Sequence, residues 1–250
     1  MKTGVKINLG LRVLGRRADG FHELETLFVP SDEFGDHLEI VPSEEFAISI
    51  DRCDWDPHDD ITARAWRLLR DEFGIPPVSI SLSKGAPVGA GLGGGSADGA
   101  AALRLISDLY ALGLDDDALA TRASRLGSDC AFFVYNRPMM GTGRGEILRP
   151  FDIDLTAYDL KIELPEGVSV STAEAYKGVL AARDSDTMPL AEALKHPAEQ
   201  WKDLIVNDFE STIFPSHPEI AALKRRLYED GAVYASMSGS GSAVFALFPR

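Results

Sequence analysis

The sequence predicts an α/β (α+β) chain organised in two parts, and three observations carry that prediction. Short segments of strand character open the chain. A strand runs into a glycine-rich stretch at residues 87–101, and a helix follows it. Near residues 150–157 the pattern restarts, and the remainder reads as strand, helices and a closing hairpin. The boundary falls near residue 155, which gives parts 1–155 and 156–250. A length of 250 residues suits one large domain or two modest ones.

Each element has its own justification. Val5, Ile7, Leu9, Leu11 and Val13 alternate with Lys6, Asn8, Gly10 and Arg12, the pattern of a half-buried strand with a polar face. Asp19-Gly20 marks a turn in "RRADGFH", and "FHELETLFV" resumes as a strand. "DHLEIV", "FAISI" and "VSISLS" read as further strands. Residues 59–73 predict a helix, with Ile61, Ala65, Leu68 and Leu69 on one face and Gly74 as its stop. Helices are also predicted over 96–112, stopped by Gly113, and over 115–126, with three acids in its first turn and Gly127 as its stop. Residues 131–134 predict a short buried strand, and "MMGTGRGEIL" a loop or hairpin.

In the second part "DLKIELP" is a strand. "STAE" (171–174) is a capping box that opens a helix bearing Tyr176 and Leu180. Helices are predicted at 190–195 and 199–214. "SHPEIAALKRRLYEDG" is a helix with Pro218 in its first turn and Gly231 at its stop. "AVYASMS", the turn "GSGS" and "AVFALF" close the chain as a hairpin.

A net charge of −14 argues against nucleic acid and anionic membrane surfaces as partners, since both need a basic footprint. No apolar run reaches the roughly 18 residues of a membrane span, and the opening segment lacks a signal-peptide core. Cys53 and Cys130 do not make a disulfide framework and fit a reducing cytoplasm. No His/Cys cluster has metal-ligand spacing. Lys2, Lys6, Arg12, Arg16 and Arg17 all precede the first acid, Asp19. That basic opening reads as an exposed strand with solvated cations, or as a place for an anionic ligand.

The glycine stretch has three phosphate-binding readings. A Walker A loop needs Lys-Ser or Lys-Thr after its last glycine, and Gly95 is followed by Ser96-Ala97-Asp98. Gly89, Gly91 and Gly94 satisfy the dinucleotide G-x-G-x-x-G, but the acids at 115–117 start a second helix, with no intervening strand to complete a βαβ unit. The third reading is a glycine loop capping a helix. Its backbone amides at Gly93, Gly94 and Gly95 and the positive end of the helix then face an anion, and Ser96 adds a hydroxyl. Such a loop lets an acidic protein hold a triphosphate with dipoles rather than many cations. Taken alone, Asp129 reads as a loop residue making a turn or cap bond, and Lys6 as a solvated strand lysine.

The order Pro-x-Gly-x-Gly-Leu-Gly-Gly-Gly-Ser, from Pro87 to Ser96, resembles the phosphate loop of the GHMP kinases. "SGSGSAVFALF" resembles the third motif of that superfamily. "KINLGLRVLGRRADGFHELETLF" and "LGSDCAFFV" resemble the N-terminal and catalytic-aspartate segments of its cytidine-recognising member. The resemblance implies a ribosomal-protein-fifth-domain-like N-terminal domain and a ferredoxin-like C-terminal domain, with ATP and substrate meeting in the cleft between them. It implies ATP-dependent phosphorylation of the 2-hydroxyl of a cytidine diphosphate-linked methylerythritol, a step of isoprenoid precursor synthesis, with Mg²⁺ delivered by ATP. It further implies a cytoplasmic monomer or homodimer.

The implied roles fall on matching positions. Asp129 is the general base, and Lys6 stabilises it and the developing charge. Asn8 orients the substrate. Pro87, Gly89, Gly91, Gly93, Gly94, Gly95 and Ser96 cradle the phosphates, and Lys84 and Asp60 fall near the adenine or ribose pocket. Phe21 and Tyr176 sandwich cytosine, His22 meets its edge, and Thr172 lies near the ligand. Gly239 and Gly241 let the backbone approach the substrate diphosphate. Two departures stand out: the family commonly has Tyr where Phe21 stands, and its chains continue beyond "VFALF". The rival functions are another GHMP kinase, such as homoserine kinase, and a catalytically silent nucleotide-binding relative.

Overall fold

The structure is a computed structural model describing residues 1–179 and 188–250. The predicted position of Leu180 on a helix lies outside the described residues. In chain order the first part holds strands β1 (Val5–Arg16), β2 (His22–Ser31), β3 (His37–Pro42), β4 (Ala47–Ile50) and β5 (Val78–Ser83). Helices α1 (Ile61–Phe73), α2 (Gly94–Leu109), α3 (Asp116–Ala123) and α4 (Cys130–Tyr135) interleave with and follow them. Strands β6 (Met139–Gly143) and β7 (Ile147–Pro150) make the predicted hairpin. Then come β8 (Tyr158–Glu163), α5 (Thr172–Lys177), α6 (Leu190–Ala193), α7 (Trp201–Leu204), α8 (Glu210–Ser216), α9 (Pro218–Glu229), β9 (Tyr234–Met237) and β10 (Val244–Pro249). The mixture of helix and strand is the α/β class that the sequence predicts.

Two compact units divide the chain, each assembled from separate stretches. Met1–Val5, Pro30–Val88 and Gly93–Arg137 form one, and Lys6–Val29, Gly89–Leu92 and Pro138–Arg250 form the other.

In the first unit β5 is the central strand of a three-stranded sheet, with β3 antiparallel on one side and β4 parallel on the other. α1 and α2 pack together beside it. α1 begins where the Asp60 carboxylate accepts from Thr62 N and ends at Gly74 in the left-handed conformation, as its sequence signals require. α2 starts at Gly94, earlier than predicted, because Gly93 turns into it at φ 72°. α3 follows α2 with no strand between them, so the dinucleotide reading fails on topology. Residues 131–134, predicted as a strand, lie within α4, which closes at Asn136 (φ 47°). Four apolar residues are too few to reveal a period of 3.6 against one of 2.

The second unit holds the sheet β1-β2-β6-β7 and the sheet β8-β10-β9. α9 packs on β9 and β10, with Ile220, Leu223 and Leu227 buried beside Ala235, Val244 and Ala246. The last strand, β10, is antiparallel to both β8 and β9, so the end of the chain occupies the middle of its sheet. The helix predicted over 199–214 is broken. After α7 the chain runs beside β1, where Leu11 N donates to Val206 O at 3.0 Å and Asp208 N to Leu11 O at 2.8 Å, and only then does α8 begin. A long-range pairing overrides helical propensity there.

β1 differs from its predicted alternation at Gly10, which sits at φ 72°. Asn8 bonds Thr26 of β2, while Leu11 and Val13 share a core with Leu24, two residues from Thr26 and on its face. A bulge at Gly10 therefore shifts the parity of the strand. Beyond it Arg12 no longer shares a face with Lys6 and Asn8, and its guanidinium meets Glu25 at 3.4 Å. The polar face is not solvated either: Lys6, Asn8 and Arg12 are all buried.

Candidate active site

The glycine stretch lies between β5 and α2. Gly89, Gly91 and Gly93 all adopt positive φ, near 70–77°. The stretch is held from behind at Gly91. Its carbonyl accepts from Lys6 Nζ at 2.8 Å and from Ser238 Oγ at 3.0 Å, and Leu92 O accepts from Lys6 N at 2.8 Å. A Cβ on Gly91 would stand 2.1 Å from Ser238 O, so only glycine lets the two backbones meet. Gly89 and Gly95 are exposed, with nothing within 4 Å of where a Cβ would lie. The loop is thus packed at Gly91 and open at its two ends. Pro87 is half-buried and leads into it.

Lys6 is the second element. Its ammonium is 3% exposed, donates to Asn8 Oδ1 at 2.5 Å and lies 5.6 Å from the centre of the Phe28 ring. Asn8 in turn donates through Nδ2 to Thr26 Oγ1 at 3.0 Å, and its backbone N–H to Ser238 Oγ at 3.3 Å. The solvated-lysine reading is overturned: β1 buries this cation under the loop. The "SGSGS" turn sits on the same network. Gly239 comes close to Asn8 Oδ1 and Gly91 O, and Asn207 Nδ2 donates to Met237 O and Gly239 O at 2.8 Å each. Gly241 packs on the Met237 sulfur. Asn207 and Ser238 went unnoticed in the sequence, where single Asn and Ser residues carry no periodic signal.

Asp129 precedes α4 and is half-buried, with Ser128 Oγ donating to it at 3.3 Å. It makes no side-chain cap bond to α4. The neighbouring Cys130 thiol is hydrogen-bonded to Ser96, near the start of α2, which brings the aspartate segment beside the end of the glycine loop. Burial pushes that thiol up to about 11, so it stays a neutral packing group.

The aromatic residues make an arrangement different from a simple pair. His22 itself stacks on Tyr176, with ring centres 4.7 Å apart and planes 23° apart. Tyr176 also meets the edge of Phe209. Phe21 is 54% exposed and carries the Arg144 guanidinium 4.8 Å from its ring centre. Thr172 Oγ1 lies 3.3 Å from Ser240 Oγ, which joins the start of α5 to the "SGSGS" turn. Arg144 is a further residue that sequence reasoning missed.

Lys84 and Asp60 are differently employed. Lys84 is buried, with its ammonium bonded to Asp36 and, at 2.7 Å, to Asp98. Burial pushes the Asp98 carboxyl up to about 7, against the pull of Lys84. Burial also acts to raise Asp36, but Lys84 and the amides of Ala86 and Gly85 outweigh it, and its carboxyl stays below the ordinary range. Asp60 spends its oxygens on Thr62 and on Trp55 Nε1. Among the described residues no group of three His, Cys, Asp or Glu side chains is placed to hold a metal ion.

The chain thus presents a strand–glycine loop–helix, a buried lysine on β1 and an aspartate at the start of α4, residue types that phosphoryl transfer to a small molecule can use. The family description "GHMP kinases N terminal domain" matches residues 60–137, and "GHMP kinases C terminal" matches residues 189–250. The chain belongs to the GHMP kinase family. Its similarity runs to one branch of that family. A 4-diphosphocytidyl-2-C-methyl-D-erythritol kinase of Azobacteroides pseudotrichonymphae genomovar. CFP2 is 42% identical over 98% of this chain and 91% of its own. The enzyme of the same name from Parabacteroides distasonis is 44% identical over 98% and 90%. A crystal structure of 4-(cytidine 5'-diphospho)-2C-methyl-D-erythritol kinase aligns with a TM-score of 0.80 at 32% identity, covering 99% of this chain and 90% of that one.

Proposed function

We propose that this chain phosphorylates the 2-hydroxyl of 4-diphosphocytidyl-2-C-methyl-D-erythritol with ATP, in the non-mevalonate synthesis of isoprenoid precursors. The observation that carries the proposal is identity above 40% along nearly the whole chain to relatives of that name. ATP with its Mg²⁺ supplies the phosphoryl group. The chain's own residues position and deprotonate the acceptor. Asp129 takes the proton of the 2-hydroxyl, and the freed oxygen bonds the γ-phosphorus as the bond to the β-phosphate oxygen breaks.

Lys6 contributes a buried positive charge and fixes Asn8 and the Gly91 carbonyl. The amides of Gly93, Gly94 and Gly95 and the Ser96 hydroxyl receive the phosphates. Phe21, Tyr176 and His22 form the nucleobase end, with the His22–Tyr176 stack as its present floor. Thr172, Gly239 and Gly241 serve the substrate diphosphate, a role supported by the Thr172–Ser240 contact. Along the sequence we assign residues 1–155 to the N-terminal family domain and 156–250 to the C-terminal one, a division by sequence that differs from the two interleaved compact units, and the enzyme works in the cytoplasm as a monomer or homodimer. No described helix is long and apolar enough to cross a membrane.

The test is ATP-dependent phosphorylation of four compounds: the cytidine diphosphate-linked methylerythritol, its uridine counterpart, homoserine and mevalonate. Turnover of the cytidine compound alone is expected. Buried polar groups left unpaired by a wrong base cost about 1–3 kcal/mol each, so the uridine compound reacts poorly. Turnover of homoserine or mevalonate in its place overturns the substrate assignment.

A further inference from the structure

Three buried charged residues lie behind the start of α2, and substrate chemistry gives none of them a task. Lys84 ends the approach from β5, Asp36 precedes β3, and Asp98 lies in the first turns of α2. The Lys84 ammonium bridges both carboxylates. Asp36 Oδ1 also accepts from Gly85 N and Ala86 N, each at 2.7 Å, the two amides that lead the chain into the glycine loop. Thr3 Oγ1 closes the cluster, donating to Asp98 Oδ1 at 2.9 Å and accepting from Asp36 N at 3.2 Å. Directly above it Gly94 packs so tightly that a Cβ there would lie 2.9 Å from Ala86 Cβ and 3.6 Å from Asp36 Oδ2. The cluster therefore grips both the chain entering the loop and the helix leaving it.

Resting on the reading of this loop as the ATP phosphate site, we propose that Asp36, Lys84 and Asp98 are positioning residues that set the angle of the Gly93–Ser96 amides, and that Lys84 is not a ligand of the nucleotide. Two fixed ends leave the loop few conformations, so the amides are aimed before the phosphates arrive. Preorganisation of this kind lowers the ordering cost of binding. Burying an ammonium with two carboxyl groups is expensive, and a merely structural position of this size is filled at least as well by apolar side chains.

The experiment measures binding of a non-hydrolysable ATP analogue by calorimetry, steady-state KM for each substrate, and melting temperature, for Lys84→Met, Asp36→Ala and Asp98→Asn. Misplacing a binding group by an ångström costs up to about 10²-fold. Lys84→Met and Asp36→Ala are expected to weaken the analogue by about tenfold or more while KM for the cytidine substrate stays within about twofold. Asp98→Asn keeps the shape and one acceptor oxygen for Lys84 but cannot also accept from Thr3, and it is expected to retain more of the affinity than the other two variants.

A loss confined to Lys84→Met, with Asp36→Ala binding normally, means that Lys84 touches the nucleotide directly and overturns the proposal. So does unchanged analogue affinity in folded Lys84→Met, whatever its melting temperature. If these two variants do not fold, Thr3→Val is read in their place, and normal analogue binding by it overturns the proposal. Failure of the wild-type protein to bind the analogue at all instead removes the reading of the loop on which the proposal rests.

Discussion

Lys6 is a cation that β1 takes out of water, and such a charge persists only where partners replace its hydration. Asn8 Oδ1, Gly91 O and the Phe28 ring supply part of that replacement. None of it was legible in the alternation, which placed Lys6 on a wet face; the motif match alone pointed to its role. Asp129 was legible only in the same way. Asp129→Asn keeps the side chain's shape and removes the base. The folded variant is expected to bind ATP normally and to lose about 10²–10⁴-fold in kcat. A kcat near wild type in that variant rejects the assignment. Lys6→Met preserves the stem that packs on Phe28, and is the cleaner test of the charge than truncation to Ala.

Asp98 gives a pH prediction at the same scale. Its carboxyl sits near 7 in the folded chain against an ordinary 3.8. Between those values the folded state keeps a proton that the unfolded state has released, so stability falls as pH rises through that window. Lys84 is raised above its ordinary value and Asp36 is held below its own, so their contributions change only in strong base and strong acid. Melting curves from about pH 5 to pH 8 are expected to show the wild type losing stability relative to Asp98→Asn, which cannot ionise. Parallel curves for the two proteins contradict the raised carboxyl.

At the scale of elements, local signals were read well and distant ones were not. The stop at Gly74 and the first-turn Pro218 marked α1 and α9 because each acts on its own helix end, whereas the cap at Asp60 was not read in the sequence. The break after α7 was invisible because its cause, Leu11, is nearly two hundred residues away in the chain. The bulge at Gly10 could be seen only as an isolated glycine in a strand. The glycine loop was legible as a motif, but its inner distinctions were not. Gly94 is locked by packing on Ala86, so a substitution there tests folding as much as ligand binding. Gly95 is exposed within α2, and a Cβ there would have open space around it. For a mere helix start, alanine at that position is better than glycine by roughly 0.5–1 kcal/mol. Gly95→Val is therefore expected to fold with a near-normal melting temperature and to lose ATP affinity severely, with cytidine-substrate binding spared. Unchanged nucleotide binding in calorimetry shows the loop to be a packed turn only.

At the scale of the whole molecule, a chain with net charge −14 must attract a polyanion. Long-range repulsion between like charges extends about 30 Å at 0.01 M salt and about 10 Å at 0.1 M. Amide dipoles and a buried lysine act over a few ångströms and are screened far less. The two parts of the interaction therefore respond oppositely to salt: the unfavourable part weakens, and the favourable part holds. This is the reverse of capture by surface cations, where added salt removes the attraction itself. Titration of the ATP analogue at fixed free Mg²⁺ is expected to give an affinity in about 0.3 M KCl equal to or tighter than that in about 0.05 M, since the Debye length has by then shrunk below 10 Å. A loss of tenfold over that range means that surface lysines and arginines, and not the loop amides, carry the phosphates.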